Sequence, residues 1–384
     1  MRARVVRTRT RRRLRAGLSQ LAFMLVGLGM GLVVPRIDSG PRAPSTQVAG
    51  ALLSIGIGLL GAVALIFSML FLVVQWVATT FTPRLMMFRD DPIVWRTFGF
   101  ALGLVAFCVT AAIAIGRNPE VSVFVPISAM LLLLLLIEQL RTLQLRAFSA
   151  IQLAPALGTI GDRGRIVLDA VYTGHDLESQ SLPPSPTTIA WQRPPVVLQR
   201  VDVTRLIDAA TAANAVIVLR ATPGATLHHG SPVADVHGGE LSAATVLRRL
   251  VVGDERIFDQ DPLLAFRLLS DIALRALSPA VNDPATAVQA FDELEDLLGW
   301  VAARRLEPTR HTDHDGVERL VVHRPRWEEF LRTSVDDIAF VVSSPMVVTG
   351  LRDALRRVRE RALPEHTEQL DRRLALLDDK VAAL

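Results

Sequence analysis

The chain has 384 residues, half of them apolar and 21% charged, with a formal net charge of +4. A mean hydropathy of +0.35 argues against an ordinary soluble protein. A single cysteine, Cys108, excludes an internal disulfide and a cysteine-built zinc site. Eight arginines (2, 4, 7, 9, 11, 12, 13 and 15) crowd the first fifteen residues, and without them 34 basic residues face 38 acidic ones. The positive charge is therefore a tail and not a folded nucleic-acid surface. Lys380 is the only lysine, an arginine bias that fits a GC-rich bacterial genome.

Residues 1–16 read as a basic cytoplasmic tail that can touch anionic lipid. Residues 17–142 read as a transmembrane domain of about four helices. Apolar segments cover 18–34, 48–78, 93–115 and 121–140, each near the twenty residues that cross a bilayer, and none has a charge in its middle. The first is short enough to compete with a signal peptide. No small-x-small cleavage site follows Gly27, Gly29 and Gly31, so a retained helix is expected. Four crossings, the tail and Arg84, Arg89, Arg141 and Arg146 place both termini in the cytoplasm of a bacterial inner membrane.

In the second segment Gly50, Ser54, Gly58 and Ala62 recur every fourth residue, with Gly61 beside them; Gly99 and Gly103 form a pair in the third. Ridges of small residues let helices approach closely in lipid. The favoured reading is packing within the four-helix bundle, with the second helix making the closest helix–helix contact. The alternative is a subunit interface or pore wall.

Two stretches carry a resemblance. LIFSMLFLVVQWVATTFTPRLMMFRDDP (65–92) and RIFDQDPLLAFRLLSDIALRALSPAVNDPATAVQAFDEL (256–294) are similar to the bacterial membrane-protein family called domain of unknown function 2254. With the four-helix layout, the resemblance covers about residues 18 to 360. It implies the architecture and transfers no activity.

Residues 143–195 read as a helical connector followed by a Pro/Ser-rich linker. Gly158, Gly161 and Gly164 are expected to make a plain turn, because no strand precedes them and no Lys-Ser/Thr follows. Residues 196–240 read as a small α/β module. Within it, PGATLHHGSPVADV (223–236) resembles barrel-sandwich hairpins but has no lysine for a lipoyl arm. Residues 241–384 read as a helical cytoplasmic domain, so the expected fold is a membrane α-helical bundle with a cytoplasmic α+β domain.

Asp261-Pro262 and Asp283-Pro284 are each predicted to cap and open a helix. The polar set Arg256, Asp259, Asp261, Arg267, Asp271, Arg275, Asn282 and Asp283 alternates in sign. Caps and ion pairs that fix helix packing are the favoured reading; contact with a ligand or with the membrane loops is the alternative. Two histidine groups, His228/His229/Asp235/His237 and His311/Asp313/His314/Asp315, have no recognisable metal-ligand spacing and read as solvated loops. The last helix carries Leu370, Leu374, Leu377, Val381 and Leu384, a coiled-coil spacing that suits either an oligomer or packing onto the domain.

No nucleophile elbow, H-E-x-x-H pair, Walker motif or dinucleotide fingerprint occurs. No catalytic residue, metal or cofactor is therefore assigned, and an enzyme is not expected. The expected partners are the lipid bilayer and further copies of the chain, with no nucleic acid. The first expectation is a homo-oligomeric channel or transport-like protein with a cytoplasmic regulatory domain. The alternative is a membrane-anchored sensor or scaffold whose cytoplasmic domain binds a protein or small molecule.

Overall fold

The computed structural model describes residues 8–37, 39–80, 92–116, 118–151, 153–172 and 182–383. The chain divides into two compact units, one over Arg9–Gln152 and one over Leu153–Leu384.

The first unit is a helical bundle. Its helices are α1 (Thr8–Val33), α2 (Ser45–Thr80), α3 (Pro92–Ile115) and α4 (Phe124–Ile151). Each contains a stretch long and apolar enough to cross a membrane: Leu18–Arg36, with the short 3-10 turn that ends α1, then Ser45–Met69, Ile93–Ile115 and Phe124–Arg146. Half of the α3 stretch is buried, against 17% for each of the others, so α3 is the central helix. Phe107, Cys108, Ala111 and Ile115 of α3 pack with Leu52 of α2 and with Val125, Ala129 and Leu136 of α4. At one end, β1 (Arg42–Pro44) and β2 (Glu120–Ser122) form a two-stranded antiparallel clip that ties the α1–α2 loop to the α3–α4 loop. The Ser122 hydroxyl fastens it by donating to the Ser39 carbonyl at 2.6 Å.

The second unit begins with α5 (Leu153–Val171), in which Gly158, Gly161 and Gly164 are all helical. This corrects the expected turn. Gly164 lies so close to Ala265 and Leu297 that a side chain there would overlap both, and Gly161 lies against the Glu293 carboxylate. The glycines are the flat face by which α5 meets its neighbours. The linker reading also needs correction, because part of it is strand. After β3 (Thr187–Ala190) the chain forms β4 (Val196–Val201), α6 (Val203–Ala212), β5 (Ala215–Leu219), β6 (Thr226–Leu227), β7 (Pro232–Gly238), α7 (Ala243–Leu247) and β8 (Leu250–Gly253). Asp202 caps α6 by accepting the Arg205 N–H.

The region expected to be wholly helical contributes strands as well. Helices α8 (Leu264–Ala276) and α9 (Pro284–Ala302) come first, followed by β9 (Thr309–Thr312) and β10 (Glu318–Val322). One sheet has the order β3-β7-β5-β10-β9 and the other β6-β4-β8. β10 runs parallel to β5 and antiparallel to β9; every other pairing is antiparallel. The two sheets share one core, which includes Trp191, Leu198, Leu206, Ile217, Leu219, Leu250 and Leu320. Residues 223–236 pass from one sheet to the other, since β6 pairs with β4 and β7 with β5 and β3.

The remaining helices are α10 (Trp327–Leu331), a π-helical turn over Arg332–Asp336, α11 (Asp337–Val341), α12 (Pro345–Arg361) and α13 (Pro364–Ala382). α8 has the stripe Leu264, Leu268, Ile272 and Ala276 read from the sequence, and Phe266, Leu269 and Ala273 are buried too. Phe266 and Phe330 meet with ring centroids 4.9 Å apart, and each such ring contributes about 2–3 kcal/mol by leaving water. Leu370, Leu374 and Leu377 of α13 are buried within this chain. The coiled-coil spacing therefore serves internal packing here.

Candidate functional site

The ridge of α2 does not pack within the bundle. Gly50, Ser54, Gly58, Gly61 and Ala62 are all exposed. Among the described residues, a Cβ added at Gly50, Gly58 or Gly61 would meet nothing within 4 Å. The reason is the opposite face of the helix: Val48, Leu52 and Val63 are buried in the bundle core, and Gly56 approaches Cys108 of α3. Both faces are apolar, so composition alone does not choose between them.

The close helix–helix contact lies instead between α1 and α3. A Cβ at Gly103 would stand 2.7 Å from the Phe23 carbonyl oxygen, and one at Gly31 would stand 2.8 Å from Thr110 Cβ and 2.9 Å from the Phe107 carbonyl oxygen. Gly27 meets the Gly103 carbonyl at still shorter range. Gly99 faces Phe23 and Gln20. The pair Gly99/Gly103 was legible from its spacing. Its partners Gly27 and Gly31 were missed, although they too are four residues apart.

The charged set of the soluble unit separates into groups. Arg256 grips Asp261 with two hydrogen bonds of 2.6 and 2.8 Å, and Asp261 also accepts the Leu263 N–H. Asp261 is buried, and the left-handed Gly224 (φ +93°) packs directly on its carboxylate. Asp261 is thus a latch between the β module and the start of α8. It is not the predicted helix cap, which falls at Leu263. Arg267 pairs with Asp271 at 3.0 Å and with Asp337 at 3.7 Å. Asp283 caps α9 as expected, accepting the Thr286 N–H and hydroxyl, and these bonds hold its carboxyl below the usual carboxylate range. Asn282 takes a left-handed backbone at φ +48° just before that cap. Asp259 is exposed and Arg275 partly buried.

The histidine groups also resolve. Asp235 is buried and is held by Arg220 and by Thr188, whose hydroxyl is 2.8 Å away. Burial opposes its ionisation, but these partners and the nearby His237 leave its pKa below the ordinary value. The ring of His237 meets the Pro183 carbonyl at 2.7 Å, while His228 and His229 sit exposed in the turn after β6. Asp313 orders the β9–β10 turn by accepting the N–H groups of Asp315 and Val317, and it pairs with Arg319. His314 is exposed beside Asp315. Among the described residues no three His, Cys, Asp or Glu side chains are grouped to hold a metal ion.

One polar cluster was not singled out from the sequence. Thr309 and His311 lie on β9 opposite Val322 and Leu320, and Arg324 follows two residues after Val322. The Arg324 Nε donates to the Thr309 hydroxyl at 3.1 Å, and that hydroxyl points to the Val171 carbonyl at the end of α5. Tyr172 donates to the Pro325 carbonyl at 3.0 Å, with its ring beside Trp300 and Phe330. Burial pulls the Arg324 guanidinium below its ordinary range. Burial first, and Arg324 second, pull His311 below its own.

A bundle of four apolar helices followed by an α+β unit defines a membrane protein with a large extramembrane domain. The family model described as Predicted membrane protein (DUF2254) matches residues 17–357, and the chain belongs to this family. Two similar relatives are the uncharacterized proteins Rv1290c of Mycobacterium tuberculosis and Mb1321c of Mycobacterium bovis. Each is 25% identical over 387 residues, covering 92% of this chain and 73% of the relative. No solved structure matches the chain.

Proposed function

We propose that this chain is the protomer of a homo-oligomeric channel or transport-like protein of a bacterial inner membrane, with its soluble unit acting as a cytoplasmic regulatory domain. The observation that carries this reading is the exposed ridge Gly50, Ser54, Gly58 and Ala62 on α2. In lipid, helices associate by close backbone packing, and a ridge of small residues facing outward suits another copy. The interior of the protomer is filled by Leu104, Phe107, Cys108 and Ala111, all almost wholly buried, so a conducting path would run between copies. The reading assigns no catalytic chemistry. It takes both termini as cytoplasmic, and it takes residues 223–236 as a structural element of barrel-sandwich type.

The test joins assembly to conduction. Purified protein is sized in detergent and then reconstituted for conductance across voltage and membrane tension. Gly58→Leu should reduce the assembly while leaving the protomer folded, and conductance should fall with it. A monomeric wild type, or a folded oligomer silent under every condition, rejects the channel. Reporter fusions at Ser45 and Asn118 should read outside the cell and a C-terminal fusion inside.

A second reading is a membrane-anchored sensor or scaffold. It is favoured by Phe340, Val341 and Met346, which are exposed by 82%, 51% and 54% on the soluble unit. Large apolar side chains left open to solvent near one another in the chain suit a protein partner. In that case partner binding survives removal of the membrane helices.

A further inference from the structure

We propose that Arg324, with His311 beside it, forms a receiving site for an oxyanion, a phosphate or carboxylate group brought by a ligand. The argument begins with an imbalance of charge. Arg324 is partly buried, yet its only hydrogen-bond acceptor among the described residues is a neutral hydroxyl, that of Thr309. Two other arginines of the β9–β10 hairpin each have a carboxylate: Arg310 has Glu318 at 2.7 Å and Arg319 has Asp313 at 2.7 Å. Arg324 forms no ion pair with any described residue. Burying a cation without an anion is costly. A guanidinium held by its Nε alone keeps both terminal amino groups for a second acceptor, in the fork that matches two oxygens of a carboxylate or phosphate.

A second, independent observation lies next to it. The Nε2 atom of His311 is enclosed and has no hydrogen-bond partner. His311 and Thr309 share a face of β9, and Thr309 holds Arg324. A neutral imidazole has one N–H to give, and an arriving oxyanion would select the tautomer that places it on Nε2. The surrounding groups are fixed. Thr309 is hydrogen-bonded to the end of α5, and Tyr172 is held by the Pro325 carbonyl and by two aromatic neighbours. The fork therefore needs little ordering when an anion binds, which favours affinity. The site lies wholly within the soluble unit and does not depend on how copies assemble.

The full chain in neutral detergent provides the test. Its unfolding midpoint is followed by tryptophan fluorescence while inorganic phosphate, pyrophosphate or succinate replaces chloride at constant ionic strength. The wild type should show a saturable rise with at least one of them. Arg324→Gln should abolish the rise. Arg324→Lys, which keeps the charge and loses the fork, should weaken it about tenfold, the loss of one hydrogen bond to a charged group. His311→Gln should weaken it several-fold. Arg326→Gln removes the same charge from an exposed neighbour and should leave the response intact. A parallel arm uses nanodiscs of phosphatidylcholine with and without phosphatidylglycerol. A rise that needs the anionic lipid and Arg324 assigns the oxyanion to a headgroup; a rise with free anion alone assigns a soluble ligand. No saturable rise in either arm overturns the proposal, as does a response unchanged in Arg324→Lys and, where it folds, Arg324→Gln. Should Arg324→Gln fail to fold, Arg324→Lys decides the matter.

Discussion

Replacing Gly103 by alanine tests the α1–α3 contact directly. The new Cβ would lie 2.7 Å from the Phe23 carbonyl oxygen and 3.1 Å from its carbon. Ordinary van der Waals contact begins near 3.4 Å, so the helices must part by roughly 0.7 Å along that line. The obstacle is backbone, which cannot swing aside as a side chain can. A gap of about 0.5–1 Å forfeits a quarter to a half of each dispersion contact along the seam. Overpacking of this kind costs about 1–3 kcal/mol, and the gain in helix propensity, at most about 1 kcal/mol, offsets part of it. A net loss of about 1–2 kcal/mol is expected. Gly31→Ala should cost a similar amount, since it meets Thr110 and the Phe107 carbonyl on the same seam. The double variant should cost less than the sum, because helices already parted at one point accommodate the other. Gly50→Ala on the outward ridge of α2 serves as the control for the protomer. Unfolding of purified protein by titration with sodium dodecyl sulfate in mixed micelles gives the free energies. If Gly103→Ala matches the wild type within about 0.3 kcal/mol, or if Gly50→Ala costs as much in a monomer, the helix pairing is wrong.

Asp261→Ala should destabilise the soluble unit by about 3 kcal/mol, because it strands the Arg256 guanidinium and opens the latch under Gly224; thermal denaturation of the full chain measures it, and a loss below about 1 kcal/mol contradicts a buried latch. Asp283→Ala removes the α9 cap and should cost about 1 kcal/mol, with Asp283→Asn recovering most of it by the same assay. His311 and His323 both have pKa values below the ordinary 6.5, through burial first and arginine neighbours second. Below that value the unfolded chain binds more protons than the folded one, so stability is full above about pH 6.5 and declines as pH falls beneath it. The unfolding midpoint should drop between about pH 7.5 and 5.5, and the paired variant His311→Gln/His323→Gln should drop less; an equal drop assigns the effect to other groups.

The four membrane helices were legible because an apolar run of twenty residues has few other uses. Which face of α2 turns inward was not. In lipid both Leu52 and Gly58 are acceptable on either side, and the choice rests on the shape of α3. Asp283 showed its role because a cap is local, requiring only Pro284 and Thr286 nearby. Asp261 showed only half of its role, since its partner Gly224 lies 37 residues earlier. The β9–β10 hairpin carried a readable sign, Asp315-Gly316 ahead of the apolar Leu320-Val321-Val322, with Gly316 at φ +77°. Arg324 gave no sign at all, because a missing partner is a property of the folded surroundings and not of neighbouring residues.

The insertion of β10 between β5 and β9 governs the order in which the soluble unit can be completed. About a hundred residues, including α8 and α9, leave the ribosome after β5 before the strand that covers its edge is made. Until then β5 has a bare edge, and only its β7 side can pair. Closing so long a loop is slow, and an unpaired edge invites association with other nascent chains. Helices α8 and α9 are made while the sheet waits, but α12, which packs on α9, follows β10, so chain order makes the two halves of the unit interdependent. A fragment that stops before Glu318, or that starts after Ala190, lacks a strand of the larger sheet. The smallest piece able to fold alone should therefore reach back beyond Thr187 and forward through α13.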